Sequence, residues 1–180
     1  MDLQKADDGG WVEAVHVCRR EKESVEAGSK VGLSLNPNDA ETLADIGQYL
    51  AFMGEFERGV ELSRRAQKLN PLHPGWYYFS FARHNYDQRR YEAVLADIQR
   101  VGLQDFYWTH LLTAAALGQL ERAEAGASLA NLYPLTPGFS APKALAEWHA
   151  PPQDLEPRRH GFRTAGLPAR TLAWPLRLRP

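Results

Sequence analysis

The chain has 180 residues, 44% of them apolar and 24% charged, with a formal net charge of −1. That is enough apolar material for one core or a short stacked array, and too little net charge for a bulk attraction to nucleic acid or acidic membranes. A single cysteine, Cys18, excludes an internal disulfide and a cysteine-rich metal site, and no apolar run approaches the roughly 20 residues of a membrane helix.

Residues 1–20 form a poorly defined segment. Their opening, MDLQKADDGGWVEAVHV, is too polar and acidic for a secretory signal, so a cytoplasmic location is expected. Ahead of Asn36 the pattern is weak: Val25, Gly32 and Leu35 suggest part of one helix. Two Asn-Pro dipeptides then stand 34 residues apart, Asn36-Pro37 and Asn70-Pro71. Between them Asn38 and Glu41 have capping-box spacing, and Leu43, Ile46, Leu50 and Met53 follow at helical intervals. Gly54 ends this first helix. A second is predicted from Phe56, with Phe56, Val60, Ser63, Ala66 and Leu69 inward and Glu61 and Arg65 paired on the outer face. Gly47, Gly59 and Ala66 are small where two such helices must come close.

The next stretch starts at Pro74, a favourable first helical residue, and is crowded with Trp76, Tyr77, Tyr78, Phe79, Phe81 and Tyr86. Its turn, Asp87-Gln88-Arg89-Arg90, lacks a glycine, and the register slips there by about one residue. Tyr91, Val94, Leu95, Ile98 and Val101 mark its second helix, stopped by Gly102. A third pair is predicted from Asp105: Tyr107, Leu111 and Ala114 lead to Gly118, and Leu120, Ala123, Ala127 and Ala130 form the second face. The expected units are therefore 38–70, 71–104 and 105–134 within an array spanning 21–135. A cap over 136–169 comes next, with helices at Pro142–His149 and Asp154–Ala165. The basic tail 170–180, TLAWPLRLRP from Thr171, is without periodicity and is expected to be disordered.

The spacing of Gly47, Gly54, Phe56, Gly59, Ala66 and Pro71 resembles the tetratricopeptide repeat. LNPNDAETLADIG, LNPLHPGWYYF and GFRTAGLPA are further similar to the C-terminal repeat arrays of bacterial class III adenylate/guanylate cyclase-type signalling proteins. The resemblance implies an all-α, right-handed solenoid of antiparallel helix pairs with C-terminal capping helices. It also implies a regulatory, non-catalytic, protein-binding role. The catalytic domain of such a cyclase would be a separate upstream segment, so a fragment of a larger enzyme is one alternative and a self-association module another. Packing within repeats would rest on Gly47, Gly54, Phe56, Gly59, Ala66, Pro71, Tyr91, Gly118, Ala123 and Ala130. A partner segment would dock in the concave groove against Gln48, Tyr78, Ala82, Asn85, Trp108 and Leu112, placed by stepping from the first unit's register. Ala44, Asp45 and Gln48 stand where a carboxylate clamp would need basic and amide groups, so that mode is not expected.

No other chemistry competes. The six histidines include no i, i+4 pair, and no HExxH, nucleophile elbow or phosphate-binding glycine loop occurs. No catalytic residue, metal or cofactor is expected. Arg158, Arg159, Arg163, Arg170, Arg177 and Arg179 make the C-terminal end basic, but base-reading side chains do not recur from unit to unit. A protein or peptide is the expected partner, and nucleic acid and membrane are not.

Overall fold

An aspartate opens the first helix. Asp39 Oδ2 accepts a hydrogen bond from the Thr42 amide at 3.1 Å and another from the Thr42 hydroxyl, and α1 runs Ala40–Phe52. The cap is thus one residue later than Asn38, the residue the capping-box spacing picked out. Asn38 instead anchors a distant arginine. Its Oδ1 accepts from Arg65 Nη2 at 2.7 Å, while Arg65 also reaches the Pro37 carbonyl at 2.8 Å. Arg65 is therefore engaged with the loop before α1, where the sequence pairs it with Glu61.

The computed structural model describes residues 36–139 and 152–167, with Leu33, Ser34 and Ala144 besides. After α1 come α2 (Phe56–Leu69), a 3-10 turn (Gly75–Tyr78), α3 (Phe79–Asp87), α4 (Tyr91–Val101), α5 (Tyr107–Gln119), α6 (Ala125–Leu135) and α7 (Pro152–Thr164). Among the described residues the fold is all-helical, without strands. The segment 1–20, the partial helix before Asn36 apart from Leu33 and Ser34, the tail 170–180 and, apart from Ala144, the predicted helix Pro142–His149 lie outside the described residues. Consecutive helices pack as pairs, α1 with α2, α3 with α4 and α5 with α6, and α7 lies on α5.

One closing geometry recurs at the end of α1, α3, α5 and α7. A residue with positive φ (Gly54 at 83°, Arg89 at 57°, Glu121 at 53°, Gly166 at 102°) turns the chain. The next amide then bonds back to a carbonyl five residues earlier: Glu55 to Leu50 at 2.8 Å, Arg90 to Asn85 at 2.8 Å, Arg122 to Leu117 at 2.9 Å and Leu167 to Phe162 at 3.0 Å. This satisfies carbonyls that the helix end leaves open. The turn at Asp87-Gln88-Arg89-Arg90 therefore closes without glycine, at a local cost of about 1–2 kcal/mol for an L-residue with left-handed backbone.

Close approach needs small residues. A Cβ on Gly47 would lie 2.7 Å from the Gly59 carbonyl oxygen, and one on Gly59 would lie 2.9 Å from the Ala51 nitrogen. Between pairs, Ser80 Oγ donates to Ser63 Oγ at 2.8 Å in the interior. Gly118 does not end its helix as the sequence pattern suggests. It stays inside α5 and meets the backbone of Gly161 in α7, where neither residue has room for a side chain.

That displacement changes α6. The turn glycine's role passes to Glu121, so the helix starts at Ala125 and buries Ala125, Leu129 and Leu132. Ala123, Ala127 and Ala130, the expected packing face, are exposed. Leu69 and Pro71 are also exposed, where the pattern placed them in contacts. Gly54, Phe56, Ala66 and Tyr91 do occupy packing or turn positions: Phe56 and Ala66 are buried, and the Tyr91 ring meets Tyr86 edge-on at 5.3 Å.

The aromatic run divides among neighbours because a 3-10 turn precedes α3. Trp76 and Tyr77 join Leu43, Ala44 and Ala66 in a small first core. Phe79 stacks on Phe52 at 6.0 Å and enters the main core with Val94, Trp108, Leu111, Leu129 and Phe162. The helix α5, YWTHLLTAAALGQ, has no charged residue and is buried nearly all round, as a helix apolar on every face must be.

Two stability measurements test this packing. Gly47→Ala should destabilise the chain by about 1–3 kcal/mol in urea unfolding, since neither backbone can retreat. Glu121→Gly should raise stability by up to about 1 kcal/mol by relieving the left-handed residue; a loss instead would show that the Glu121 side chain matters more than its backbone.

Candidate functional site

The residues placed in the groove do not share one open surface. Ala82, Trp108 and Leu112 are fully buried and Gln48 nearly so; Tyr78 and Asn85 are half-buried. Asn85 braces its own helix pair: its Nδ2 donates to Asp97 Oδ2 at 2.7 Å across to α4, and its Oδ1 accepts from Arg90 Nε at 2.9 Å. Burial raises the Asp97 carboxyl above its ordinary pKa, opposed by the bonds from Asn85 and Arg100.

The misplacement has a structural origin. The first closing residues, Gly54 and Arg89, are 35 positions apart (54 to 89), and the next, Glu121, comes after 32 (89 to 121). Stepping 34 residues from Gln48 lands on Ala82, which sits seven before its closing residue as Gly47 does. The counterparts of Gln48, six before closure, are Arg83 and Ala115. The slip of about one residue at the glycine-free turn is visible in the sequence, and the fold fixes its place by making Arg89 the left-handed residue.

Arg83 is the principal residue that sequence reasoning missed. It has no solvent exposure, and its guanidinium carbon lies 4.1 Å from the centre of the Phe52 ring and 5.5 Å from that of Trp108. Phe52 and Trp108 meet edge-on at 5.5 Å, so α1, α3 and α5 converge on this cation. Burial, then the charge of Arg158, pushes the Arg83 pKa well below its usual value; Tyr107 and Asp87 act the other way. Arg158 of α7 is also buried and approaches Asp87 Oδ1 at 3.4 Å. Next to them Tyr86 is buried, and its phenol is pushed upward by desolvation. The cluster carries two arginines, one described carboxylate and three aromatic rings. Its chemistry is that of a joint holding α7 to α3 over the surface of α5.

A surface of different character lies where α2, the 3-10 turn, α3 and α4 adjoin. The rings of Tyr78 and Phe81, both half-buried, are 6.0 Å apart. Arg64 from α2 stands 5.8 Å over Phe81, and Arg100 from α4 stands 5.2 Å over Tyr78. Arg100 is additionally paired with Asp97 at 3.2 Å, which fixes its direction. The first unit offers titratable chemistry in Asp45, half-buried on α1. Burial, and after it the charge of Glu41 one turn earlier, raises its pKa from 3.8 to about 7.

Among the described histidines, His73 stacks on Tyr77 at 5.0 Å, His84 lies 6.2 Å from Phe56, and His110 Nε2 is 2.7 Å from the Gln104 carbonyl oxygen. Among the described residues, no group of three or more His, Cys, Asp or Glu side chains could hold a metal, and no helix is long and apolar enough to cross a membrane. Cys18, His16 and His149 lie outside the described residues. Comparison with protein-family models gives no match, and comparison with curated proteins gives none either.

Asp45 supplies a pH test. A carboxyl that holds its proton more tightly in the folded chain favours folding most at acid pH. That contribution is lost as pH rises from 3.8 through about 7. Asp45→Asn should therefore melt higher than wild type near pH ~8 and no higher near pH ~4, flattening the pH dependence of the melting temperature. Parallel profiles for the two proteins would show that Asp45 ionises freely.

Proposed function

We propose that the chain is a tetratricopeptide-like array, a right-handed solenoid of antiparallel helix pairs, serving as a non-catalytic protein-interaction module. The observation that carries this reading is the recurrence of helix pairs whose first members, α1, α3 and α5, end in the same left-handed closure and pack on their seconds. Units of this kind bury their apolar faces only by stacking, and the stack leaves an extended surface for a partner. A regulatory place in a bacterial signalling protein is the context that the sequence resemblance suggests.

The burial of Ala82, Trp108 and Leu112 moves the expected docking residues. Of the six read from sequence, Tyr78 keeps both exposure and aromatic character. With Phe81, Arg64 and Arg100 it forms a ledge of two rings bordered by two cations. Aromatic and arginine side chains dominate protein interfaces because they combine large contact area with directional polar groups. The reading is therefore of a partner segment bearing apolar and acidic side chains, seated on Tyr78 and Phe81.

Binding to immobilised full-length chain tests the ledge. Phe81→Ala combined with Arg64→Glu, on the ledge but outside both core clusters, should keep the melting temperature near that of wild type. The same change should weaken capture of a specific binding protein by tenfold or more, on the order of 2 kcal/mol for such an anchor. Identical retained proteins and affinities on both columns would sink the ledge as a docking site.

A further inference from the structure

Helix α7 follows α6 in the chain, yet it lies on α5 and reaches α3. Its crossing with α5 is made backbone to backbone. A Cβ on Gly161 would stand 2.7 Å from the Ala115 carbonyl oxygen and 3.1 Å from Gln119 Cγ, and one on Gly118 would stand 3.1 Å from the Ala165 nitrogen. One turn before the crossing, Arg158 is buried and approaches Asp87 Oδ1 of α3 at 3.4 Å. Ala115 and Arg83 hold in α5 and α3 the position that Gln48 holds in α1. The helix α7 therefore crosses the face on which the first helices would receive a docked segment.

The hold of α7 on that face differs in kind from the contacts of its neighbours. Its sequence, PQDLEPRRHGFRT, has two large apolar residues, Leu155 and Phe162, whereas α5 has no charged residue at all. Of the side chains described in α7, only Phe162 brings a large apolar group into the interior; Glu156, His160, Arg163 and Thr164 are exposed. Seating α7 also buries the Arg158 guanidinium near Arg83, which is fully buried itself, and the two like charges act against each other. Asp87 meets Arg158 at a separation longer than the roughly 2.7–2.9 Å of a strong charge-assisted bond. An element with few buried apolar contacts and a buried charge is the kind that opens locally while the rest of a fold persists.

We infer that α7 is a displaceable strap: it fills the face formed by α3 and α5 in cis, and a helix of matching chemistry from a partner protein fills that face in its place. The matching helix carries a glycine where the backbones cross, an arginine three residues earlier to meet Asp87, and a phenylalanine directly after the glycine, as Arg158, Gly161 and Phe162 do. Glycine is required because the Ala115 carbonyl leaves no room for a Cβ at the crossing. Tethering gives α7 a high effective concentration on the face, so it acts as a built-in competitor that lowers the apparent affinity for the partner. The inference goes beyond the proposed ledge at Tyr78 and Phe81 and stands independently of it.

A fluorescent peptide copying residues 152–167 serves as the probe, read by anisotropy against the full chain. Gly161→Leu in the chain hinders the seating of its own α7. The expected result is peptide binding at least about tenfold tighter than to wild type, with the Gly161→Leu chain still giving a cooperative urea transition. The same substitution in the peptide should abolish binding to both chains. In wild type, amide hydrogen exchange at low urea should release α7 before α1 to α4. A folded Gly161→Leu chain that ignores the peptide overturns the inference, as does equal binding to the two chains. A Gly161→Leu chain that fails to fold, or wild-type α7 amides that exchange together with those of α1 to α4, overturns it too, since α7 would then be an inseparable part of the core.

Discussion

A guanidinium sealed between two aromatic rings joins three helices here. Arg83 comes from α3, Phe52 from α1 and Trp108 from α5, and all three side chains are buried. Ring faces attract a cation most strongly where water is excluded, by about 2 kcal/mol or more. The same exclusion makes a buried charge costly, so its surroundings must remain in register for the arrangement to persist. Asp87 and Arg158 extend the constraint to α7. The helix pairs are therefore tied not only by apolar contact between neighbours but through a polar joint that spans them.

The joint explains why the inner surface of the first helices is occupied. Helix α7 approaches α5 backbone to backbone at Gly118 and Gly161, and its Phe162 is fully buried in the main core. In place of an open row of Gln48, Ala82, Trp108 and Leu112, the chain places its own side chains against one another. Accessible aromatic and cationic side chains lie instead at the Tyr78–Phe81 ledge, where two arginines stand over rings that retain some exposure.

Much of the local architecture is legible in the sequence alone. The helices from Ala40 to Val101 track apolar residues at helical spacing, and Gly54 and Gly102 both adopt the positive φ for which glycine is suited. The close contact of Gly47 with Gly59 is readable because a helix tolerates such residues poorly without a packing reason. The first cap lies one residue from its expected place because Asn38 and Asp39 are both good caps, and only Arg65, 27 positions beyond Asn38, distinguishes them by engaging it. The third unit is the least legible. Gly118 has the look of a turn residue, and Ala123, Ala127 and Ala130 have helical spacing, but alanine and glycine fit a buried or an exposed face equally.

The sequence by itself determined the helical class, the pairing of successive helices and the closeness of the first pair, since caps, turns and periodicity are written in residues a few positions apart. Tertiary structure decided which faces are buried, which of the crowded aromatics are core, and where α7 sits. Those outcomes depend on contacts such as Arg158 with Asp87, 71 positions apart, whose energy exists only once distant segments meet and exclude water. Arg89 and Glu121 belong to the same category. Nothing in their side chains requires a left-handed backbone, and the packing of the helices on either side imposes it.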